Sequence, residues 1–360
     1  MEAVDRRDGA ATLESSMPIA VLGNAARTTL RASRHGSVLA VFRRSFYVRF
    51  GIDLVCVGPV ALGRGPLNAL YATIDPVSWL DRGLAPGAEV RSDGGRLEVD
   101  GRFVFDFATA DVWQPPVAPL SAIASLHAGV QLLAAAARQS SPGGLGALLW
   151  LSANVLDNDA RGVRDPLLRA AMPPVAALRG WLASVLADVD APLPAIGTLI
   201  GLGPGLTPSG DDFLCGTMAA LHYLGRAGVA SRLAAIVLPR LSETNLISAA
   251  YLRCASTGDA SSVLFDVLDC LSGADSALLA QRLDAVDRVG HTSGWDCLAG
   301  AAAVCAELAT LLPMDAHAAA HAAAEIYGSL RSTSIASSAA CALDGATMTP
   351  ASSSSVTCRE

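Results

Sequence analysis

The stretch GLGPGLTPSGDDFLCGTMAAL, residues 201–221, changes character in its middle. Up to Asp212 it is mostly glycine, proline and small polar residues; from Phe213 it turns apolar. Thr207-Pro208 has the form of an N-cap residue followed by proline at the first helical position, and Ser209 stands three residues before Asp212 as in a capping box. Either start predicts a helix with Asp211 and Asp212 in its first turn, where the dipole stabilises each by roughly 0.3–1 kcal/mol. A capped, buried helix after a glycine hinge accounts for the aspartates taken alone. The glycines ask for more, because each carries extra backbone entropy into the fold. The expectation is that Gly203 and Gly205 border a concave surface, at least one of them with a φ closed to L-residues.

Outward from this stretch the text divides near residue 115. Before it come short β-branched and aromatic runs between turn signals: PIAVLG, GSVLAVF, SFYVRFGIDLVCVGP, RLEV and RFVFDF, with SDGG at 92–95. LGRGPLNALYA (62–72) reads as a turn leading back into apolar text, and WQPP (113–116) as a linker. After it the spacing is helical over 119–139, 163–187 with a break at Pro173-Pro174, 211–226, 230–256, 260–271, 276–288, 295–312 and 315–330. Ile196–Ile200 fits a strand or a helix end equally. The predicted fold class is α+β: a β-rich antiparallel N-terminal module (17–114) followed by a larger all-helical domain (115–330). Residues 1–16 form a flexible N-terminus, and 331–360 a Ser/Ala-rich tail with a short turn at 340–344.

Composition limits the function. With 52% hydrophobic and 16% charged residues in 360, the chain is globular. Its formal charge of -7 and the lack of any basic block argue against nucleic acid. The polar first sixteen residues do not read as a signal peptide, and no run reaches the roughly 20 apolar residues that span a bilayer. The expected location is cytoplasmic, with no membrane partner. No lysine occurs, so all 26 basic residues are arginine. That excludes Schiff-base chemistry, a pyridoxal-phosphate enzyme and a Walker A loop. The eight cysteines form no CxxC pair and read as reduced core thiols.

A second stretch, HTSGWDCLAG at 291–300, repeats the pattern of TPSGDDFLCG at 207–216. The shared S-G-x-D-x-L-x-G places Ser209, Asp212 and Gly216, and likewise Ser293, Asp296 and Gly300, at i, i+3 and i+7 on one helix face. Two such helices packed about a pseudo-twofold axis would bring Ser209, Asp212, Ser293 and Asp296 into one polar pocket. Backbone N–H groups at two helix N-termini suit a phosphate or carboxylate. The carboxylates oppose one, and two arrangements resolve the conflict. Either Mg²⁺ bridges Asp211, Asp212 or Asp296 to ligand oxygens, or the aspartates accept from a ligand amide while N–H groups hold its anionic end. His291 is a candidate donor or base beside the candidate catalytic pair Asp212 and Asp296. Gly203, Gly205, Thr207, Ser209, Gly210, Asp211, Ser293 and Gly294 are the candidate binding residues around them. A Ser-His-Asp hydrolase is the weaker reading, since G-x-S-x-G is absent at both sites. Ser242, Asn245 and Ser248 recur at i, i+3 and i+6 in apolar helical text and require hydrogen-bond partners or a ligand. Asn245 thus joins the candidate binding residues, and Arg253 is a candidate anion clamp.

GLGPGLTPSGDDFLCG, TNLISAAYLRCASTGD and GHTSGWDCLAG, in that order, resemble the bacterial AllH-like family, with LGRGPLNAL echoing its N-terminal part. The resemblance implies one subunit of an oxamate carbamoyltransferase of purine and allantoin breakdown. Such an enzyme moves a carbamoyl group from oxalurate to phosphate, giving oxamate and carbamoyl phosphate. It implies a small anionic substrate and a hetero-oligomer in which one partner subunit resembles acyl-CoA synthetases. The Ser-Thr-Arg-Thr phosphate loop of ordinary carbamoyltransferases is absent, so their catalytic residues have no counterparts here. A non-catalytic scaffold or small-ligand-binding subunit, using the glycine loop as an interface, is the alternative.

Overall fold

A computed structural model describes residues 16–72, 77–118, 125–150, 163–273 and 275–311. They belong to one compact unit, Met1–Pro313. The helix expected at 315–330, the tail at 331–360 with its turn, the flexible start up to residue 15, and Cys341 and Cys358 lie outside the described residues.

The N-terminal module is a closed barrel. Its strands are β1 (Met17–Gly23), β2 (His35–Val41), β3 (Phe46–Phe50), β4 (Asp53–Pro59), β5 (Asn68–Tyr71), β6 (Glu89–Ser92), β7 (Arg96–Val99), β8 (Phe103–Asp106) and β9 (Asp111–Trp113). They run in the order β5-β4-β3-β2-β6-β7-β8-β1-β9, and β1 also pairs with β5, so eight strands close and β9 extends beside β1. Period-2 burial follows the sequence: Leu97 and Val99 of β7 and Phe103 and Phe105 of β8 point inward. Trp79 fills the interior among Phe46, Phe103 and Phe105, with ring centroids 4.9–5.7 Å away, and its indole N–H donates to the Tyr71 hydroxyl at 3.1 Å.

Two features depart from the expected antiparallel meander. β1 pairs parallel with β8 and β9, and β4 pairs parallel with β5. Helix α1 (Asn24–Ala32) follows β1 directly and lays Ala26 and Leu30 on the barrel core. The parallel β4–β5 return is made through residues 60–67, whereas β1 meets β8 and β9 only after the chain has passed through the intervening strands.

The helical part comprises α2 (Leu126–Ser140), α3 (Pro166–Leu186), α4 (Ser209–Tyr223), α5 (Ala227–Val237), α6 (Leu246–Ala255), α7 (Ser262–Gly273), α8 (Ser276–Asp287) and α9 (Ser293–Thr310). Short 3₁₀ segments cover Gly144–Leu149, Gly197–Leu199 and Leu238–Glu243. The undecided text at 196–200 is thus a 3₁₀ turn. Two expectations are corrected. The helix across Pro173-Pro174 is continuous: proline's φ is already helical, and burial of Ala171, Met172, Pro174, Val175 and Leu178 offsets the lost hydrogen bonds. The segment 230–256 is two helices, because Pro239 tightens the chain into 3₁₀ and Asn245 starts a new helix.

Helices α4 and α9 form the centre. Every residue of α4 except His222 is buried. A Cβ on Gly216 would stand 1.8 Å from the Cys297 carbonyl oxygen, and one on Gly300 1.9 Å from that of Phe213. The contacts are reciprocal, so the repeated motif packs as a pseudo-twofold pair at backbone distance. Gly216→Ala or Gly300→Ala should lower unfolding stability by about 1–3 kcal/mol or more by forcing the helices apart. Chemical denaturation measures this; an unchanged midpoint in both variants would contradict the contact.

Candidate functional site

The loop before α4 is shaped by positive φ at Gly201 (72°), Gly203 (113°) and Gly205 (101°). Gly205 borders a cleft of about 450 Å³ together with Pro204, Leu206 and Thr207. Gly203 turns inward instead, where an added Cβ would meet the Ser209 amide nitrogen at 2.9 Å. The cleft lies between the barrel, which contributes Tyr47, Gly65, Pro66 and Asn68, and the helical part, which contributes Asp212, Tyr251, Asp259, His291 and Ser293 among others.

Packing of the two parts sets this cleft. Leu54, Leu67, Ile247, Ala250 and Cys254 form a shared apolar cluster flanked by Tyr47 and Tyr251, whose hydroxyls are 3.2 Å apart. The Ser262 amide donates to the Arg64 carbonyl at 2.8 Å. A Cβ on Gly23 would meet the Gly65 carbonyl oxygen at 2.1 Å, so the 62–67 turn lies directly on β1.

The adjacent aspartates separate. Asp211, fully buried, accepts from the Gly201 amide (2.8 Å), the Thr244 hydroxyl (2.5 Å) and the Ser248 hydroxyl (2.6 Å). Both its oxygens are occupied, and it tethers the glycine loop to α6. Asp212, 8% exposed, lines the cleft. Burial pushes its carboxyl well above the usual range; the Ser293 and Thr207 hydroxyls pull it down, and Asp296 and Asp211 push it up. Asp296 is raised by burial and lowered by the Ser209 and Thr292 hydroxyls and the Leu145 and Gly146 amides. The serine of each motif therefore faces the aspartate of the other. Thr207 and Ser293 complete the pair, their hydroxyl oxygens 2.8 Å apart. Even so, the Oδ2 atoms of Asp212 and Asp296 are buried with no partner at hydrogen-bond geometry.

Asp296 is not at the cleft surface. Its Oδ1 accepts from the Leu145 and Gly146 amides at 2.6 and 3.2 Å, fixing the 3₁₀ segment behind α9. His291 and Gly294 line the cleft, His291 at its exposed rim. Gly210 is buried under the Leu199 carbonyl, and its amide donates to Leu202 O at 2.9 Å. The amides of Asp211 and Asp212 donate to Pro208 O, and that of Gly294 to Val289 O. These helix-end amides are occupied and do not offer the anion cradle expected of them.

Asn245 and Arg253 are not brought to the cleft. Asn245 Oδ1 caps α6 by accepting from the Ile247 and Ser248 amides, and Arg253 donates to the Ile52 carbonyl at 2.8 Å, clasping the β3–β4 turn. Among the described residues no group of three or more His, Cys, Asp or Glu side chains is placed to hold a metal ion. With both Asp211 oxygens occupied, the Asp211–Asp212 pair is a poor fit to Mg²⁺, which needs near-octahedral oxygen ligands. Burial also pushes Cys56, Cys254 and Cys305 up to about 12, which suits inert core thiols.

Cleft residues that motif reasoning missed are Tyr47, Asn68, Tyr251 and Asp259. Asp259 stands at the end of the quoted TNLISAAYLRCASTGD, where an aspartate after Thr-Gly reads as an ordinary turn. It is 6% exposed, its Oδ1 has no hydrogen-bond partner, and burial pushes its carboxyl up to about 6.

Residues 199–305 match the family model described as oxamate carbamoyltransferase subunit AllH. The matched segment begins at the 3₁₀ turn before the glycine loop and ends inside α9. No solved structure matches the chain. No helix among the described residues is long and apolar enough to cross a membrane.

The raised Asp259 carboxyl favours the protonated fold, so wild-type stability falls as pH rises from the unfolded value near 3.9 to about 6. Asp259→Asn should therefore stabilise the protein by about 1–2 kcal/mol at pH 8, after allowance for solvent in the open cleft, with the gain gone by about pH 4. Denaturation at the two pH values measures this. A gain at pH 4 alone would contradict it.

Proposed function

We propose that this chain is a subunit of an oxamate carbamoyltransferase-type enzyme and that the cleft between barrel and helices holds the carbamoyl-bearing substrate. One observation carries the reading: the segment similar to AllH, 199–305, supplies most of the helical wall of the cleft. In the implied reaction a phosphate oxygen attacks the carbamoyl carbon of oxalurate. The bond from that carbon to the oxamate nitrogen breaks, and the nitrogen gains the proton that phosphate gives up.

Asp212 suits the transfer of that proton. Its carboxyl is buried at the cleft with one unpartnered oxygen, and burial together with Asp296 and Asp211 favours its neutral form. A neutral carboxyl donates to the leaving nitrogen and then accepts from the phosphate. It also removes the repulsion that a carboxylate would exert on an incoming oxyanion. Ser293 and Thr207 hold it in place, and His291 at the rim is a second group able to donate. No arginine is among the described residues lining the cleft, so this reading requires a cation from outside it to balance the charge of phosphate.

The test is reconstitution of the chain with the other subunits of such an enzyme, with carbamoyl phosphate formation as the readout. Asp212→Asn should lower turnover about 10²–10⁴-fold with an unchanged circular dichroism spectrum. Wild-type turnover in Asp212→Asn would place the chain in the non-catalytic scaffold class.

A further inference from the structure

The cleft contains a buried carboxyl that the proton transfer above does not use. Asp259 follows the turn that ends α6, and its amide donates to the Cys254 carbonyl at 3.0 Å. Gly258, at φ +87°, is wedged against His222, whose Nε2 lies 3.1 Å from the Ser256 carbonyl oxygen. The turn is thus fixed by backbone and histidine contacts, independently of the Asp259 side chain. That side chain is 6% exposed, faces the cleft and leaves Oδ1 without a partner. A buried acceptor left open in this way calls for an explanation.

The neighbouring polar groups narrow it. The Tyr47 and Tyr251 hydroxyls engage each other at 3.2 Å, and Asn68 Nδ2 donates to the Gly63 carbonyl at 2.9 Å. One hydroxyl proton of the tyrosine pair and one N–H of Asn68 are therefore engaged elsewhere, whereas no donor among the described residues reaches Asp259 Oδ1. Among the described lining residues there is no arginine to neutralise a second negative charge beside it. Asp212, from α4, lines the same cleft and has another buried carboxyl oxygen without a partner. A ligand that completes this arrangement brings N–H donors and keeps its anionic end away from Asp259.

We propose that Asp259 is a specificity-determining residue of the cleft: it accepts the N–H of a carboxamide or ureido group and so selects an amide-bearing ligand over a plain carboxylate or phosphate. The proposal rests on the cleft being the substrate site. A site that hydrogen-bonds a ligand N–H rejects the analogue lacking it, because its own buried group is then left unpaired.

Oxamate and oxalate test this directly, since they differ by one NH₂ in place of an oxygen. Isothermal titration of the full chain with oxamate, oxalate and inorganic phosphate should show oxamate bound at least roughly tenfold more tightly than the other two. Asp259→Ala should abolish that preference, Asp259→Asn should weaken it, since its amide oxygen still accepts but carries no charge, and Asp259→Glu should restore part of it. If the isolated chain binds none of the three, inhibition of the reconstituted complex by the same ligands makes the comparison. A wild-type preference for oxalate or phosphate, or an undiminished oxamate preference in both Asp259 variants, would overturn the proposal. Turnover of oxalurate is read separately. Turnover with an Asp259-independent preference defeats this proposal alone, and Asp259-dependent oxamate binding without carbamoyl phosphate formation defeats the carbamoyltransferase reading alone.

Discussion

The backbone contact between α4 and α9 at Gly216 and Gly300 is the constraint on which the rest of the helical part depends. Any side chain at either position would overlap a carbonyl of the facing helix. At that separation the two N-termini lie side by side, and each motif serine reaches the aspartate of the other helix. The arrangement concentrates carboxyls in a buried space, where two unit charges 4 Å apart repel by roughly 4 kcal/mol at an effective dielectric of 20. Hydroxyls, backbone amides and raised carboxyl pKa values share the relief of that repulsion. The symmetry is broken by the surroundings: amides of the 3₁₀ segment hold Asp296, while Asp212 opens onto the cleft.

The barrel closes a cleft over this helix pair. Without the 62–67 turn the cleft would lack its facing wall, and that turn is held by Gly23 beneath it and by Ser262 of the helical part beside it. Arg253 and the Tyr47–Tyr251 contact fasten the same junction. The N-terminal module therefore contributes by position, supplying the barrel side of a cleft whose carboxyls come from the helical part.

Much of this was legible in the residues, and the exceptions have physical causes. Alternation in RLEV and RFVFDF marks strands because one face of each is buried. The pairing partner of each strand is a long-range property, so the parallel neighbours of β1 are invisible in the text. Helix α1 is amphipathic, but with nine residues and few apolar ones between two strands it is too short to stand out from turn text. Pro173-Pro174 reads as a break because proline lacks an N–H, yet packing of the flanking residues carries the helix through. The recurrence S-G-x-D-x-L-x-G exposed the central pair because close helix packing needs glycine at a fixed offset. Sequence cannot separate Asp211 from Asp212, since adjacent helical positions differ only in direction; one points to Ser248 and the other to the cleft. Asn245 and Arg253 have ordinary structural duties that any helix cap or surface arginine could perform. Asp259 was missed because its distinction, an unpartnered oxygen, exists only once the barrel has covered it.

The most direct measurement is a crystal structure of the assembled complex with oxamate bound. The account predicts the ligand between the 62–67 turn and the N-terminal ends of α4 and α9, with Asp212 Oδ2 within hydrogen-bonding distance. Oxamate held wholly by another subunit, with this cleft filled only by solvent, would contradict it.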